Sequence, residues 1–148
     1  MLQQRARLLI ATFWVGSLWS IGYLVAPTLF ATLADRALAG TIAGSLFRIE
    51  AWVSVVCAVL LLAMLWRAEP QASGNRLTLL KLVLGMLACT LIGYFGLQPF
   101  MASIREASAA AGGMSAEART QFGALHGAAS GIFLLQSLLG VVLILKLR

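Results

Sequence analysis

Charge is scarce in this chain. Only 11% of its 148 residues are Asp, Glu, Lys or Arg, whereas a soluble domain carries about 25%. That shortage excludes a soluble globule, because there is too little polar surface to coat one. It also excludes a disordered chain, which needs low hydrophobicity and high net charge. There are two cysteines and one histidine, with no Cys-x-x-Cys, no histidine pair and no methionine-rich run to give metal-ligand spacing. Soluble catalytic signatures are missing as well. The chain has no Gly-x-Ser-x-Gly, no phosphate loop, no dinucleotide fingerprint and no His-Glu-x-x-His, and no nucleophile stands beside its one histidine.

What the chain has is hydrocarbon. It is 61% hydrophobic, with a mean hydropathy of +0.93. Four runs, at 8–30, 43–66, 77–100 and 122–145, reach the roughly 20 apolar residues that a helix needs to cross a bilayer. They are continuous rather than alternating, which excludes a β-barrel. Lipid offers no partner to a bare backbone, so each run must be a helix. The expectation is an all-α, single-domain (1–148) integral membrane four-helix bundle. The first run is too long for a signal-peptide core and no Ala-x-Ala site follows it, so it reads as a retained helix.

Three loops separate the runs. Arg67 to Arg76 holds Pro70, Ser73, Gly74 and Asn75, a turn composition. Residues 101–121 read as a longer loop, with Ser115 and Glu117 suited to starting the last helix. Residues 31–42 hold Asp35 and Arg36, then Ala37, Leu38 and Ala39, which suggest a helical stretch before the second span. Arg5, Arg7, Arg67, Arg76, Lys81, Lys146 and Arg148 gather on one side with the single acid Glu69. By the positive-inside rule that side is cytoplasmic, so both termini are expected inside, in a bacterial inner membrane. The opposite side balances Arg36, Arg48, Arg105 and Arg119 against Asp35, Glu50, Glu106 and Glu117. The net charge of +6 therefore belongs to one face, and it marks topology rather than nucleic-acid binding.

Ile21-Gly22-Tyr23 with Pro27, and Ile92-Gly93-Tyr94 with Pro99, hint at a duplicated helical hairpin; no matching pair is evident between the second and fourth spans. Gly123, Gly127 and Gly131, and Gly40 with Gly44, have the spacing that lets helices approach closely. They are expected to pack the bundle, and a second copy or another membrane protein is the alternative partner. The bilayer itself is the one partner the composition requires.

Ionisable groups inside a span are costly and tend to mark function. Arg48, Glu50, Gln98, His126, Arg105 and Asp35 all fall in the half away from the basic side, and they form the candidate ligand-binding cluster. Arg48 and Glu50, two apart, point to different neighbours. Arg48 has Trp52 or Asp35 as partners, and Glu50 shares a face with Ser54 and Cys57. A Glu50–His126 pair is the expected link between helices. Cys57, Cys89 and Met86, with His126 and Glu50, are the weak candidates for a metal, and the sequence requires no cofactor. The cluster serves either a small ion, metal or proton that is bound or moved, or the helix register alone.

Gly16-Ser17-Leu18-Trp19, Ala26-Pro27-Thr28-Leu29-Phe30, the stretch from Ala39-Gly40 to Leu46-Phe47, Gln98-Pro99 with Arg105, and Phe122 to Leu125-His126-Gly127 with Ser130 carry a resemblance. The chain resembles small four-helix bacterial membrane proteins known as a domain of unknown function and related to eukaryotic transmembrane protein 205. More remotely it is similar to copper-resistance D proteins and to haem-binding protoporphyrinogen oxidases of the HemJ type. The resemblance implies an inner-membrane protein and, through the remote likeness, copper or haem handling. The single histidine leaves no second axial ligand for haem.

Overall fold

The computed structural model describes residues 2–67 and 75–147. Four long helices make up the fold: α1 (Leu2–Thr32), α2 (Arg36–Trp66), α3 (Arg76–Ala110) and α4 (Ala116–Leu147). Each is long and apolar enough to span a membrane, so this is a multi-pass membrane bundle. The turn residues Glu69, Pro70, Ser73 and Gly74, and the terminal Arg148, lie outside the described residues.

The helices form a ring in chain order, with α1 on α2, α2 on α3, α3 on α4 and α4 back on α1. They alternate in direction, which puts Leu2 and Leu147 at the end that carries the basic residues. The opposite end, with the turns before Arg36 and Ala116, is called distal below. Residues 101–110 and 116–121, expected as loop, are helical. Hydropathy locates where lipid begins, but alanine-rich polar sequence such as Ala107, Ala109, Ala110, Ala116 and Ala118 continues a helix beyond that point. Only residues 111–115 break it, with Gly112 at φ 75°. The Ser115 hydroxyl accepts the Ala118 N–H at 3.1 Å, and Glu117 sits in the first turn, as expected from the sequence. Ala37–Ala39 is likewise helical, as the first turns of α2.

A helix of 31 residues is about 46 Å long, against a hydrocarbon core of about 30 Å. Arg7, Lys81 and Lys146 lie near the basic end of their helices, so the surplus length falls at the distal end.

The repeat hint acquires a structural counterpart. Ser20–Val25 in α1 and Leu91–Leu97 in α3 are both π-helical turns, each followed by a proline, Pro27 or Pro99, at the second residue of the resumed α-helix. A proline lacks the N–H that an α-helix needs and clashes with the carbonyl four residues back; a widened turn just before it relieves both problems. The second π turn is one residue longer, six residues against seven. That extra residue explains why the two prolines sit at slightly different offsets from Ile-Gly-Tyr. The glycines of both motifs face α4: a Cβ on Gly22 would overlap the Phe133 ring, and one on Gly93 would stand 3.3 Å from Ile132 Cγ2.

The two halves of the bundle are unlike. Toward the basic end Ala11, Trp14, Val15, Cys57, Ala58, Leu61, Leu65, Leu79, Val83, Met86, Leu143 and Leu147 form a closed apolar core. Beyond the π turns Ala26–Thr32 packs on α2, while Gln98–Ala110 packs on α4. The distal half therefore parts into two helix pairs with a space between them.

Candidate functional site

That space is a cavity of about 900 Å³. Its mouth is formed by Arg36, Arg105, Met114 and Phe122, its walls by Phe30, Phe47, Tyr94, Met101 and Phe133, and its floor by Glu50, Ser54, Cys89, Thr90 and Gln136. The walls are mainly apolar, with polar groups at the mouth and floor and Gln98 between them beside Gly44, the usual composition of a small-molecule site.

Glu50 is 4% exposed. The Ser54 hydroxyl, one turn on, donates to its Oε1 at 3.4 Å and itself accepts the Trp14 indole N–H at 2.7 Å. Glu50 Oε2 has no hydrogen-bond partner. Leaving a buried polar atom unmatched costs about 1–3 kcal/mol. Beside it a second polar pair closes the floor, where Gln136 Nε2 donates to Thr90 Oγ1 at 2.9 Å. Tyr23 donates to Ser137 Oγ at 3.0 Å and meets the Phe133 ring edge-on at 5.5 Å.

Of the six cluster residues expected from the sequence, the cavity brings together four: Glu50, Gln98, Arg105 and His126. Gln98 lies behind Gly44, its Nε2 3.8 Å from where a Cβ would be. Arg105 lies over the Phe122 face at 5.9 Å, and the exposed His126 ring stacks parallel to Phe122 at 6.0 Å. The expected Glu50–His126 pair does not form: the one partner of Glu50 is Ser54, on Oε1, and His126 sits nearer the mouth, against Phe122. Arg48 is exposed and lies outside the cavity. It points away because Glu50 points in, and a long side chain there can reach the headgroups. Nor does it have the expected aromatic partner on its own helix, since Trp52 packs edge-on to Phe95 at 5.5 Å. Asp35 caps α2 instead, accepting Ala37 N at 2.8 Å and Leu38 N at 3.1 Å.

The glycines also change roles. Gly123, Gly127 and Gly131 meet nothing within 4 Å and so do not pack the bundle. Gly40 and Gly44 line the cavity. Close approach occurs at Gly140, where a Cβ would stand 2.7 Å from Val15 Cγ2. Among the metal candidates, Met86 and Cys57 belong to the closed core, while Cys89 lines the cavity with Glu50 and His126. No group of three His, Cys, Asp or Glu side chains comes together among the described residues.

Sequence reasoning missed Arg36, Trp14 and the Gln136–Thr90 pair. It also missed a correspondence between α2 and α4. Phe47-x-x-Glu50-x-x-x-Ser54 and Phe133-x-x-Gln136-x-x-x-Gly140 have the same spacing. The two phenylalanines meet edge-to-face at 5.9 Å, where a two-fold axis between the hairpins would place equivalent residues. Searching for an aromatic three residues before each buried polar group would have found it.

Fold and cavity together define a polytopic helical membrane protein, closed at its basic end and hollow at its distal end. Residues 9–110, from α1 to the end of α3, match the family called Domain of unknown function (DUF4149), and the chain belongs to that family. No curated protein and no solved structure matches it.

Proposed function

We propose that this is a binding protein of the bacterial inner membrane, with both termini cytoplasmic, whose distal cavity opens outward and takes a small amphiphilic ligand. A hydrogen-bond donor of that ligand, a hydroxyl or an ammonium group, sits on Glu50. The reading is carried by Glu50, which lines the cavity and whose buried Oε2 has no partner. A buried carboxyl oxygen with no partner gains most from a ligand that brings a donor. The orientation rests on the one-sided arginines and lysines. The closed core beneath the cavity favours binding over passage of an ion through the bundle.

Octylamine tests this reading. It should raise the thermal midpoint of the purified protein in detergent, because a ligand that binds only the folded state stabilises it by mass action. Glu50→Gln should show little of that rise. Equal shifts in the two proteins would overturn the proposal.

A second reading, in which buried polar groups serve only to fix helix register, has its own support in the Gln136–Thr90 bond between α4 and α3. That pair is matched within the protein and needs nothing from a ligand. Glu50 is not matched in this way.

A further inference from the structure

We propose that the ligand is dipolar, with a cationic group for Glu50 at one end and an anionic group for Arg105 and Arg36 at the other, joined by an apolar segment. The inference rests on the binding reading above and adds the second charge and the spacing.

The spacing comes from α2. Arg105 Nη1 lies 3.8 Å from where a Cβ on Gly40 would be, so the guanidinium is level with residue 40. Glu50 is ten residues further along the same unbroken helix, about 15 Å at 1.5 Å per residue. Helical side chains lean toward the N-terminus, here toward the mouth. The two charges are thus separated by roughly 10–15 Å.

The charge pattern selects the occupant. A hydrated inorganic cation arriving from the distal side must first pass two arginines, and a simple anion finds a carboxyl at the floor. A fatty chain with one polar end satisfies either the mouth or the floor and presses hydrocarbon on the other. Asp35 keeps its charge while it caps α2, but it does not line the cavity, whereas Arg36 and Arg105 do. Between the ends, Phe47, Phe133 and Tyr94 offer aromatic wall, interrupted by Gln98 beside Gly44; the aromatic faces suit a methylene chain and the underside of an ammonium group alike.

Unbranched ω-amino acids serve as a ruler. Binding of 6-aminohexanoate, 8-aminooctanoate and 11-aminoundecanoate is read by thermal shift and calorimetry, beside undecylamine and undecanoate as single-charge controls. The 11-carbon amino acid should bind about tenfold tighter than undecylamine, the gain expected from one charge-assisted contact, and tighter than the 6-carbon one. Arg105→Gln should bring that ratio to about one. If undecylamine binds as well as the amino acid, or Arg105→Gln leaves the ratio standing, the dipolar inference is wrong while the Glu50 reading survives. If Glu50→Gln binds every probe as the wild type does, both fall. Gly44→Leu, which fills the cavity without touching either charge, should abolish binding of all the probes. Retained binding in that variant places the probes outside the cavity and overturns the inference.

Discussion

The Trp14 indole N–H donates to the Ser54 hydroxyl across 2.7 Å, and both residues are buried. The same hydroxyl reaches Glu50 at 3.4 Å, so a residue of α1 helps to hold a carboxyl on α2. Lipid gives helices no hydrophobic reason to associate, and bonds of this kind contribute about 0.6–1.7 kcal/mol each. Ser54→Ala removes both contacts and should lower stability by about 1–2 kcal/mol, read as the unfolding midpoint in detergent. Trp14→Phe keeps most of the ring and loses only the N–H, so its loss should be smaller. A Ser54→Ala protein as stable as the wild type would show that this chain does not hold the helices.

Gly44 borders the cavity, and the nearest atom to an added Cβ would be Gln98 Nε2 at 3.8 Å. A leucine there has open space to enter. Gly44→Leu should therefore fold with a midpoint close to wild type and lose octylamine binding. Gly123→Leu, at a position that does not line the cavity and has nothing within 4 Å, should keep binding. Loss in both variants would mean that binding depends on general dynamics of the distal helices rather than on the cavity.

The four spans were legible because lipid imposes a length and an apolarity that soluble helices need not meet. Glu50 was legible for the same reason, since a carboxyl between Ile49 and Ala51 in such a run is costly and needs a partner, whether a ligand or a neighbouring helix. Arg36 was not, because it stands at a helix start in polar sequence and nothing local says that it overhangs a cavity. The stripe of Gly123, Gly127 and Gly131 misled in an instructive way. Spacing shows which residues share a helix face, but not whether that face turns inward. Phe47 and Phe133 are far apart in sequence, and only the ring order of the helices brings them together.

Gln136 and Thr90 join α4 to α3 in a place where Gln136 is 4% exposed. Breaking one side of a buried pair costs more than removing both, because the survivor keeps its desolvation penalty. Thr90→Val should destabilise by about 1–2 kcal/mol. Adding Gln136→Leu to it should recover part of that loss. A double variant less stable than Thr90→Val would mean that Gln136 has a further role at the cavity floor, and binding measurements on Gln136→Leu alone would then locate it.

Gly140 and Gly127 lie on the same helix and should respond to alanine with opposite signs. Alanine relieves the backbone entropy cost of a helical glycine by about 0.5–1 kcal/mol. At Gly127 there is nothing within 4 Å, so Gly127→Ala should be neutral or slightly stabilising. At Gly140 the new Cβ would stand 2.7 Å from Val15 Cγ2 and 3.4 Å from the Met86 methyl. Overpacking of that kind costs about 1–3 kcal/mol, which outweighs the backbone gain. Gly140→Ala should therefore lower the unfolding midpoint. The exposed stripe has a second readout, because a partner helix seated on Gly123, Gly127 and Gly131 would be dislodged by Gly127→Leu. If the protein associates in detergent and that variant still associates equally, the stripe faces lipid; if it dissociates to single copies, the stripe is where the chain meets its own kind.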